Sequence, residues 1–479
     1  MGAFYQIAKF VNRTTLLLLF FISVSTHTER ADTTLLAIKG GTLLDVRREQ
    51  QISDSVILVE KDRIRDAGDA STIVIPNGAR VIDASGKWVI PGLIDMHVHG
   101  SSRKDVPIAL YVANGITAIR DMGGNITALR MTQQKIESGE KLGPRLFYTG
   151  NVLDGSPPVA PPMSIIVDST EEAKSAVDFL ISQGADSIKI YNNITEPVLD
   201  TIVRAAKRAG KPVGGHVPKA ISLKRSIELG FNFVEHAAIR SRDLLEWNSI
   251  TPAEANQITS LPSVTQREAL VWQRVDLDSA KVKALISFMA EKDVSLDPTL
   301  SIDEFDSLFL YEQEAKHPNN RYLKRTFVEE ALGPDHDIFR MPADLKAVAV
   351  SGIEKRRKFV GMCNRAGVKI LAGTDGPGIG RVTVGFGLHH ELALLVEAGL
   401  KPIDALQGAT INAARALRKE NEIGSVEPGK FADMVILDSD PLADINNTTK
   451  IDSVLLRGRA FDRPALNGIL AEIEADAKK

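Results

Sequence analysis

The sequence predicts an α/β protein: a (β/α)₈ barrel of the TIM type, flanked by a β-sandwich formed from N- and C-terminal segments. Three observations predict it. The middle of the chain alternates short apolar strand signals with helical periodicities, both ends are rich in short β patterns, and residues of metal-binding type recur where the central strands end.

Composition narrows the function classes. At 479 residues and 44% hydrophobic content the chain has ample material for one large domain and a smaller one. The net charge of −3, with both signs interspersed, offers no basic patch for nucleic acid or an anionic membrane surface. The single cysteine, Cys363, excludes an internal disulfide, a zinc ribbon and a redox pair, so a metal site here must use His and carboxylate ligands.

Residues 1–25 read as a secretory signal. Lys9 and Arg13 precede the apolar run Leu16-Leu17-Leu18-Leu19-Phe20-Phe21-Ile22, and Ser23-Val24-Ser25 supplies a small-x-small cleavage site. The run is short of the roughly 20 residues that span a bilayer, so an uncleaved anchor is only the alternative, and no cysteine follows for lipoprotein attachment. Cleavage leaves 56 basic against 61 acidic residues, a net charge of −5. The expectation is an exported protein, periplasmic or secreted, with no stable membrane insertion once the signal is removed.

Residues 26–90 carry strand patterns in Leu35-Leu36-Ala37-Ile38, Ser55-Val56-Ile57-Leu58-Val59 and Ala79-Arg80-Val81-Ile82-Asp83. Residues 411–479 begin with a helix and repeat that texture in Asp433-Met434-Val435-Ile436-Leu437 and Ser453-Val454-Leu455-Leu456. The two ends therefore form the sandwich, and residues 91–410 the barrel. Its eight strands are expected at Leu93 to His97, Ile116 to Asp121, Arg145 to Gly150, Ser187 to Tyr191, Val213 to Val217, Phe233 to His236, Ser295 to Leu300 and Lys369 to Asp375. Helical stretches such as Glu171 to Gln183 and Glu196 to Ala209 separate several of them. A doubly wound sheet is the rival architecture, but no Gly-rich dinucleotide turn opens a helix.

Polar residues fall at the strand ends, where a barrel gathers its catalytic groups. In Asp95-Met96-His97-Val98-His99 the alternation of a strand turns both imidazoles to one side, where they can grip one metal ion. His216 sits in Gly214-Gly215-His216-Val217, His236 closes Phe233-Val234-Glu235-His236, and Asp375 ends Ala372-Gly373-Thr374-Asp375. Lys189 lies inside the apolar strand Ser187-Ile188-Lys189-Ile190-Tyr191. Taken singly, each reads as a hydrogen-bonded core polar residue. Together, four histidines, a buried lysine and an aspartate at one barrel mouth are far more specific.

At these residues the sequence resembles the metal-dependent amidohydrolases, in the binuclear branch with a carboxylated lysine. The strongest matches are Pro91-Gly92-Leu93-Ile94-Asp95-Met96-His97-Val98-His99 and Gly424-Ser425-Val426-Glu427-Pro428-Gly429-Lys430-Phe431-Ala432-Asp433, and the likeness runs from about residue 34 to 466. Leu388-His389-His390-Glu391-Leu392, Val396-Glu397-Ala398-Gly399-Leu400 and Ala409-Thr410-Ile411-Asn412-Ala413-Ala414 place it nearest the imidazolonepropionase-like and prolidase-like members.

The resemblance implies two divalent metal ions, with zinc the best fit to N/O ligation and manganese or iron the alternatives. It assigns His97, His99 and Asp375 to one ion and His216 and His236 to the other, bridged by a CO₂-derived carbamate on Lys189. Burial favours the neutral lysine amine that this addition needs. A metal-bridging hydroxide then attacks, with Asp375 as the proton carrier.

Substrate contacts are expected from Tyr191, two residues beyond Lys189 on the same strand face, and from His389, which matches the family's His-x-Glu-Leu element. Tyr191 would donate to the carbonyl or developing oxyanion. Arg120 or Arg381 would pair with a substrate carboxylate, although both types are more often structural. Prolidase-like relatives usually carry a Gly-Gly-His turn at the end of strand three. This chain instead has Leu153-Asp154-Gly155-Ser156-Pro157-Pro158 and Pro161-Pro162, a rigid loop that reshapes the pocket wall. Residues 240–345, with Trp247, Trp272 and Phe305, read as a helical cap over the mouth, with an oligomer interface or decoration as the alternatives.

The leading expectation is hydrolysis of an amide or peptide bond in a small molecule, a dipeptide such as Xaa-Pro or an N-acyl amino acid. The alternative is a cyclic amide, lactone or ester hydrolase using the same centre. Deamination is disfavoured, since superfamily deaminases usually manage with one metal and no bridging lysine. A non-catalytic scaffold is disfavoured because every ligand is retained. The oligomeric state, including a homo-oligomer, is left open.

Overall fold

The computed structural model describes residues 35–479 apart from 237–240, 245–250, 262–263, 303–314, 333–342 and 378–383. The expected signal, Trp247, Phe305 and Arg381 therefore lie outside the described residues. Five strands come first: β1 (Leu36–Asp45), β2 (Gln50–Glu60), β3 (Arg63–Asp69), β4 (Arg80–Asp83) and β5 (Trp88–Pro91). The centre holds β6 (Leu93–Val98), β7 (Ile116–Asp121), β8 (Arg145–Tyr148), β9 (Val152–Asp154), β10 (Ser164–Ile166), β11 (Ile188–Ile190), β12 (Val213–Gly215), β13 (Phe233–Glu235) and β14 (Ser295–Asp297). The last strands are β15 (Met434–Leu437), β16 (Ile451–Leu456) and β17 (Arg459–Asp462).

Strands from both ends of the chain meet in one eight-stranded sheet, ordered β17-β16-β15-β5-β1-β2-β3 with β4 also on β1. The sandwich expected from two separate layers is thus a single curled sheet. Its bend lies in β1, where register shifts flank Gly41 and Gly40 takes φ +88°, the signature of bulging that increases twist. The leading half of β1 pairs with β4 and the trailing half with β5. The sheet curls until β3 reaches the segment before β15: Ile64 N donates to Lys430 O and Ala432 N to Asp62 O, each at 2.8 Å. Period-2 alternation then sorts the side chains. Met434 and Ile436 enter the sheet's own core with Leu36, Ile38 and Ile57, while Val435 and Leu437 join the main core.

The central strands are all parallel, in a three-stranded sheet β6-β7-β8 and a six-stranded sheet β10-β9-β11-β12-β13-β14. The helices Thr170–Ser182, Glu196–Arg208, Leu223–Leu229 and Ala280–Glu291 return the chain between parallel neighbours. Their starts are readable in sequence: Ser169 and Glu172 form a capping box, Ser222 and Ser279 cap their helices, and Pro197 occupies a first-turn position. The helix Glu196–Arg208 buries Val198, Leu199, Ile202, Val203, Ala205 and Ala206 on one face.

The eighth expected strand, residues 369–375, makes single bridges rather than a ladder. It still joins the two sheets. Leu371 N donates to Leu296 O at 2.8 Å on the β14 side, and Met96 N to Ala372 O at 2.9 Å on the β6 side. Two further strands, β9 and β10, flank the Pro-rich loop and pair with each other.

The segment 240–345 is not one insertion, because β14 runs through it. Before β14, Trp272 is buried against Phe359 of the helix Ala343–Arg365, and Lys355 Nζ donates to Gln273 O and Val275 O at 2.6 and 2.8 Å. That stretch packs on an outer helix. After β14, the helix Arg325–Leu332 touches the turn that follows His99, where Arg103 bonds Glu330 at 3.1 Å and lies over the Phe327 ring.

Candidate metal centre

The six residues read from sequence as ligands meet at the strand ends. His97 is fully buried on β6, and its Nε2 lies 3.3 Å from His99 Nε2 and 3.3 Å from Asp375 Oδ1; His99 Nε2 is 3.0 Å from the same oxygen. Tetrahedral zinc with Zn–N bonds of ~2.0–2.1 Å places its donors about 3.3 Å apart, so these three atoms already have the spacing of a shared ion. His236 lies ring to ring with His97 at 4.7 Å and with His216 at 4.8 Å. Its Nδ1 is 3.7 Å from Asp375 Oδ2.

All four imidazoles are held through the same nitrogen. Nδ1 of His97 meets Glu235 Oε2 at 2.7 Å, that of His99 meets Gly123 O at 3.4 Å, that of His216 meets Asn192 Oδ1 at 3.1 Å, and that of His236 meets Thr299 Oγ1 at 2.9 Å. For His97 and His99 this leaves Nε2 facing Asp375, the arrangement in which outer partners orient metal-ligating histidines.

Backbone conformation brings these groups together. His236, Thr299 and Asp375 all take positive φ, at 64°, 46° and 53°, a strained choice for residues with a Cβ. Asp375 N donates to His97 O at 2.7 Å, and Asp95 accepts from Thr374 N at 3.1 Å and Thr374 Oγ1 at 2.8 Å. These bonds fix the turn carrying Asp375 against β6. Gly373 is required there: a Cβ would stand 2.5 Å from Asp297 Oδ2 and 2.6 Å from His97 Cβ.

Lys189 on β11 is buried. Burial drives its pKa down, against the pull of Glu235 and Asp375. Burial, then the Lys189 charge, lowers His97 to about 3 and His216 well below its usual value. Burial also takes His236 to about 4 although Asp375 opposes it. For His99, burial lowers the pKa but the hydrogen bond and charge of Asp375 outweigh it, so the net shift is upward. Burial would raise Asp375, yet His97, His236 and His99 hold it well below the usual carboxylate range. At His97, His216 and His236 the centre thus offers neutral imidazole donors, and at Asp375 an ionised carboxylate, the states that bind a cation.

The expected substrate contacts fare differently. Tyr191 follows β11 and stacks on His216 with ring centroids 4.2 Å apart; burial, then Asp375, raises its phenol to about 12, so it carries its proton at neutral pH. Arg120 is not available to a substrate. It is fully buried beneath the centre, donating from Nε to Met96 O and from Nη2 to Glu235 Oε1, both at 2.7 Å. His389 is likewise engaged elsewhere, with Nδ1 at 2.9 Å from Thr448 Oγ1 and Nε2 at 3.1 Å from Asn114 O. It joins the helix Gly387–Glu397 to neighbouring elements instead of touching the cluster.

Sequence reasoning missed the supports. Asp95, Asp121, Glu235, Asp297 and Glu391 are all buried. Glu391 accepts from Leu300 N and Ser301 N at 2.8 Å each, and Asp121 from Ser101 N at 3.0 Å and Gly123 N at 3.1 Å, so both hold the loops behind the ligands. An acidic residue inside an apolar strand run was the available signal. The Pro-rich wall is built by Asp154, which accepts from Val159 N at 2.8 Å and from Asn193 N, two residues past Tyr191, at 2.7 Å.

Residues 276–461 match the Amidohydrolase family. The chain is 22% identical over 443 residues to an adenine deaminase of Mesorhizobium japonicum, covering 88% of this chain and 56% of that protein. It thus spans little more than half the length of that relative. It is 24% identical over 427 residues to an imidazolonepropionase of Rhizorhabdus wittichii, covering 82% and 90% of the two chains. Among solved structures, that of a Xaa-Pro dipeptidase with methionine bound superposes with a TM-score of 0.63 at 23% identity, over 90% of this chain and 100% of the other. Residues 276–461 thus carry an Amidohydrolase family domain, and the chain as a whole is similar to an imidazolonepropionase in sequence and to a Xaa-Pro dipeptidase in fold.

Proposed function

We propose that this protein is a binuclear metal-dependent hydrolase that cleaves the C–N bond of a small amide, a dipeptide of the Xaa-Pro type or an N-acyl amino acid. The observation that carries this reading is the convergence of His97, His99, His216 and His236 beside Asp375, each imidazole held through Nδ1 by an outer partner. His97, His99 and Asp375 would hold one ion, His216 and His236 the other, and a carbamate made from the neutral Lys189 amine and CO₂ would bridge them. Two divalent ions, with zinc the best match to this donor set, would supply Lewis acidity and acidify water near neutral pH.

The chain's own groups do the rest. Asp375 takes a proton from the attacking water and delivers it to the leaving nitrogen. Tyr191, protonated and beside His216, donates to the carbonyl oxygen as it gains charge. The bridging of residues 369–376 to both β14 and β6 supports a (β/α)₈ barrel over 91–410, with the curled sheet of 26–90 and 411–479 as the flanking unit. The pattern of residues 1–25 supports export, and no described helix is long and apolar enough to cross a membrane.

A second reading, hydrolysis of a cyclic amide or lactone by the same centre, is supported by the Asp154-pinned wall beside Tyr191, where the chain departs from the prolidase-like pattern. Amine release from dipeptides and N-acyl amino acids by zinc-loaded protein separates the readings. Cleavage abolished by chelation supports the first. Turnover confined to cyclic amides, lactones or esters supports the second, and turnover of neither class defeats both.

A further inference from the structure

We infer that Arg120 and Glu235 form a buried pair whose task is to fix His97 in the tautomer that can bind metal. This positioning role rests on the binuclear reading above.

Glu235 Oε2 lies 2.7 Å from His97 Nδ1, and its other oxygen accepts from Arg120 Nη2 at 2.7 Å. An ionised carboxylate only accepts, so His97 must carry its proton on Nδ1 and present a bare Nε2 to Asp375 and His99. Arg120 keeps the carboxylate in place. Its Nε donates to Met96 O, one residue before His97, and its guanidinium lies over the Phe233 ring at 4.5 Å. The pair therefore ties β6, β7 and β13 together under the ligand. Arg120, Glu235 and His97 have no side-chain exposure, so water cannot substitute for any of these contacts.

The pair also links the two halves of the centre. Glu235 bonds a ligand of the first ion, while the next residue, His236, belongs to the second set. The strand-end φ of +64° at His236 lets both neighbours reach the same region instead of opposite faces. A buried group of His97, Glu235 and Asp297 has the composition of a cation cage. Arg120, 2.7 Å from Glu235 and 3.6 Å from Asp297, already supplies positive charge there, so Glu235 orients His97 instead of ligating.

Glu235→Gln tests the role. An amide has one acceptor oxygen for two neighbours that both donate, and if Arg120 retains it the amide NH₂ faces His97 Nδ1. That inverts the favoured tautomer and places a proton on Nε2. Zinc titration of the folded variant should show one site weakened by about 10–100-fold, the range for lost outer partners of a metal ligand, with the other site kept. Two sites of unchanged affinity would overturn the inference. Should the variant fail to fold, nitrogen NMR of His97 in the metal-free wild type decides it: a protonated Nδ1 with a bare Nε2 supports the pair, and the opposite tautomer overturns it. Wild-type protein that takes up no zinc would defeat the metal reading itself, leaving the tautomer measurement to judge this one.

Discussion

Asp95 and Thr374 join the first and last segments of the central domain. The carboxylate of Asp95 accepts from both the backbone nitrogen and the hydroxyl of Thr374, at 3.1 and 2.8 Å, one residue before Asp375. Asp95 is buried, and burial raises its pKa to about 7 despite those bonds. The folded state therefore holds a proton between about pH 4 and 7 that the unfolded chain has released. Stability from this group is full below the unfolded pKa and is lost as pH rises to 7. In Asp95→Asn that dependence disappears, so wild type should lose on the order of 3 kcal/mol relative to the variant between pH 5 and 8. Denaturant unfolding of both proteins at the two pH values measures it, and parallel behaviour would refute the assignment.

If Lys189 bridges two ions as proposed, Lys189→Ala should lower amide hydrolysis by more than roughly the hundredfold typical of outer-shell losses. Intact mass of the native wild type, compared with the acid-treated chain, should show one added CO₂ that Lys189→Ala lacks. Equal masses with undiminished activity would exclude the carbamate.

Tyr191→Phe leaves the stack on His216 in place and removes only the hydroxyl. Steady-state kinetics should then show kcat reduced by roughly 10²-fold with little change in KM, the signature of a donor used in the transition state. A raised KM at constant kcat would make Tyr191 a binding residue only.

His389→Ala should behave as a stability mutation. It breaks the bonds to Thr448 and Asn114 inside the fold, at a cost of about 1–3 kcal/mol for the polar groups left buried. Thermal unfolding should register that loss while kcat/KM stays within twofold or so of wild type; a selective loss of activity would restore the substrate contact.

The clustering of the proposed ligands was legible because their chemistry stands out: His97 and His99 alternate along a strand pattern, and Lys189 interrupts an apolar run. The parallel order of the centre followed from strands alternating with cappable helices. What the sequence concealed depends on backbone geometry. Glu235 and His236 are neighbours, which strand alternation sends to opposite faces, and only the positive φ of His236 lets both work on one centre. Arg120 reads equally as an exposed anion binder or a buried tie, and burial alone distinguishes them. β9 and β10 were hidden because prolines at 157, 158, 161 and 162 suggest turns, whereas the pairing is confined to residues just outside them.

The measurement that bears most directly on the central claim is anomalous diffraction at the zinc edge from crystals of the zinc-loaded protein. Two peaks are expected, one bounded by His97, His99 and Asp375 and one by His216 and His236, with density from Lys189 between them. A single peak, or none among these residues, would contradict the binuclear centre.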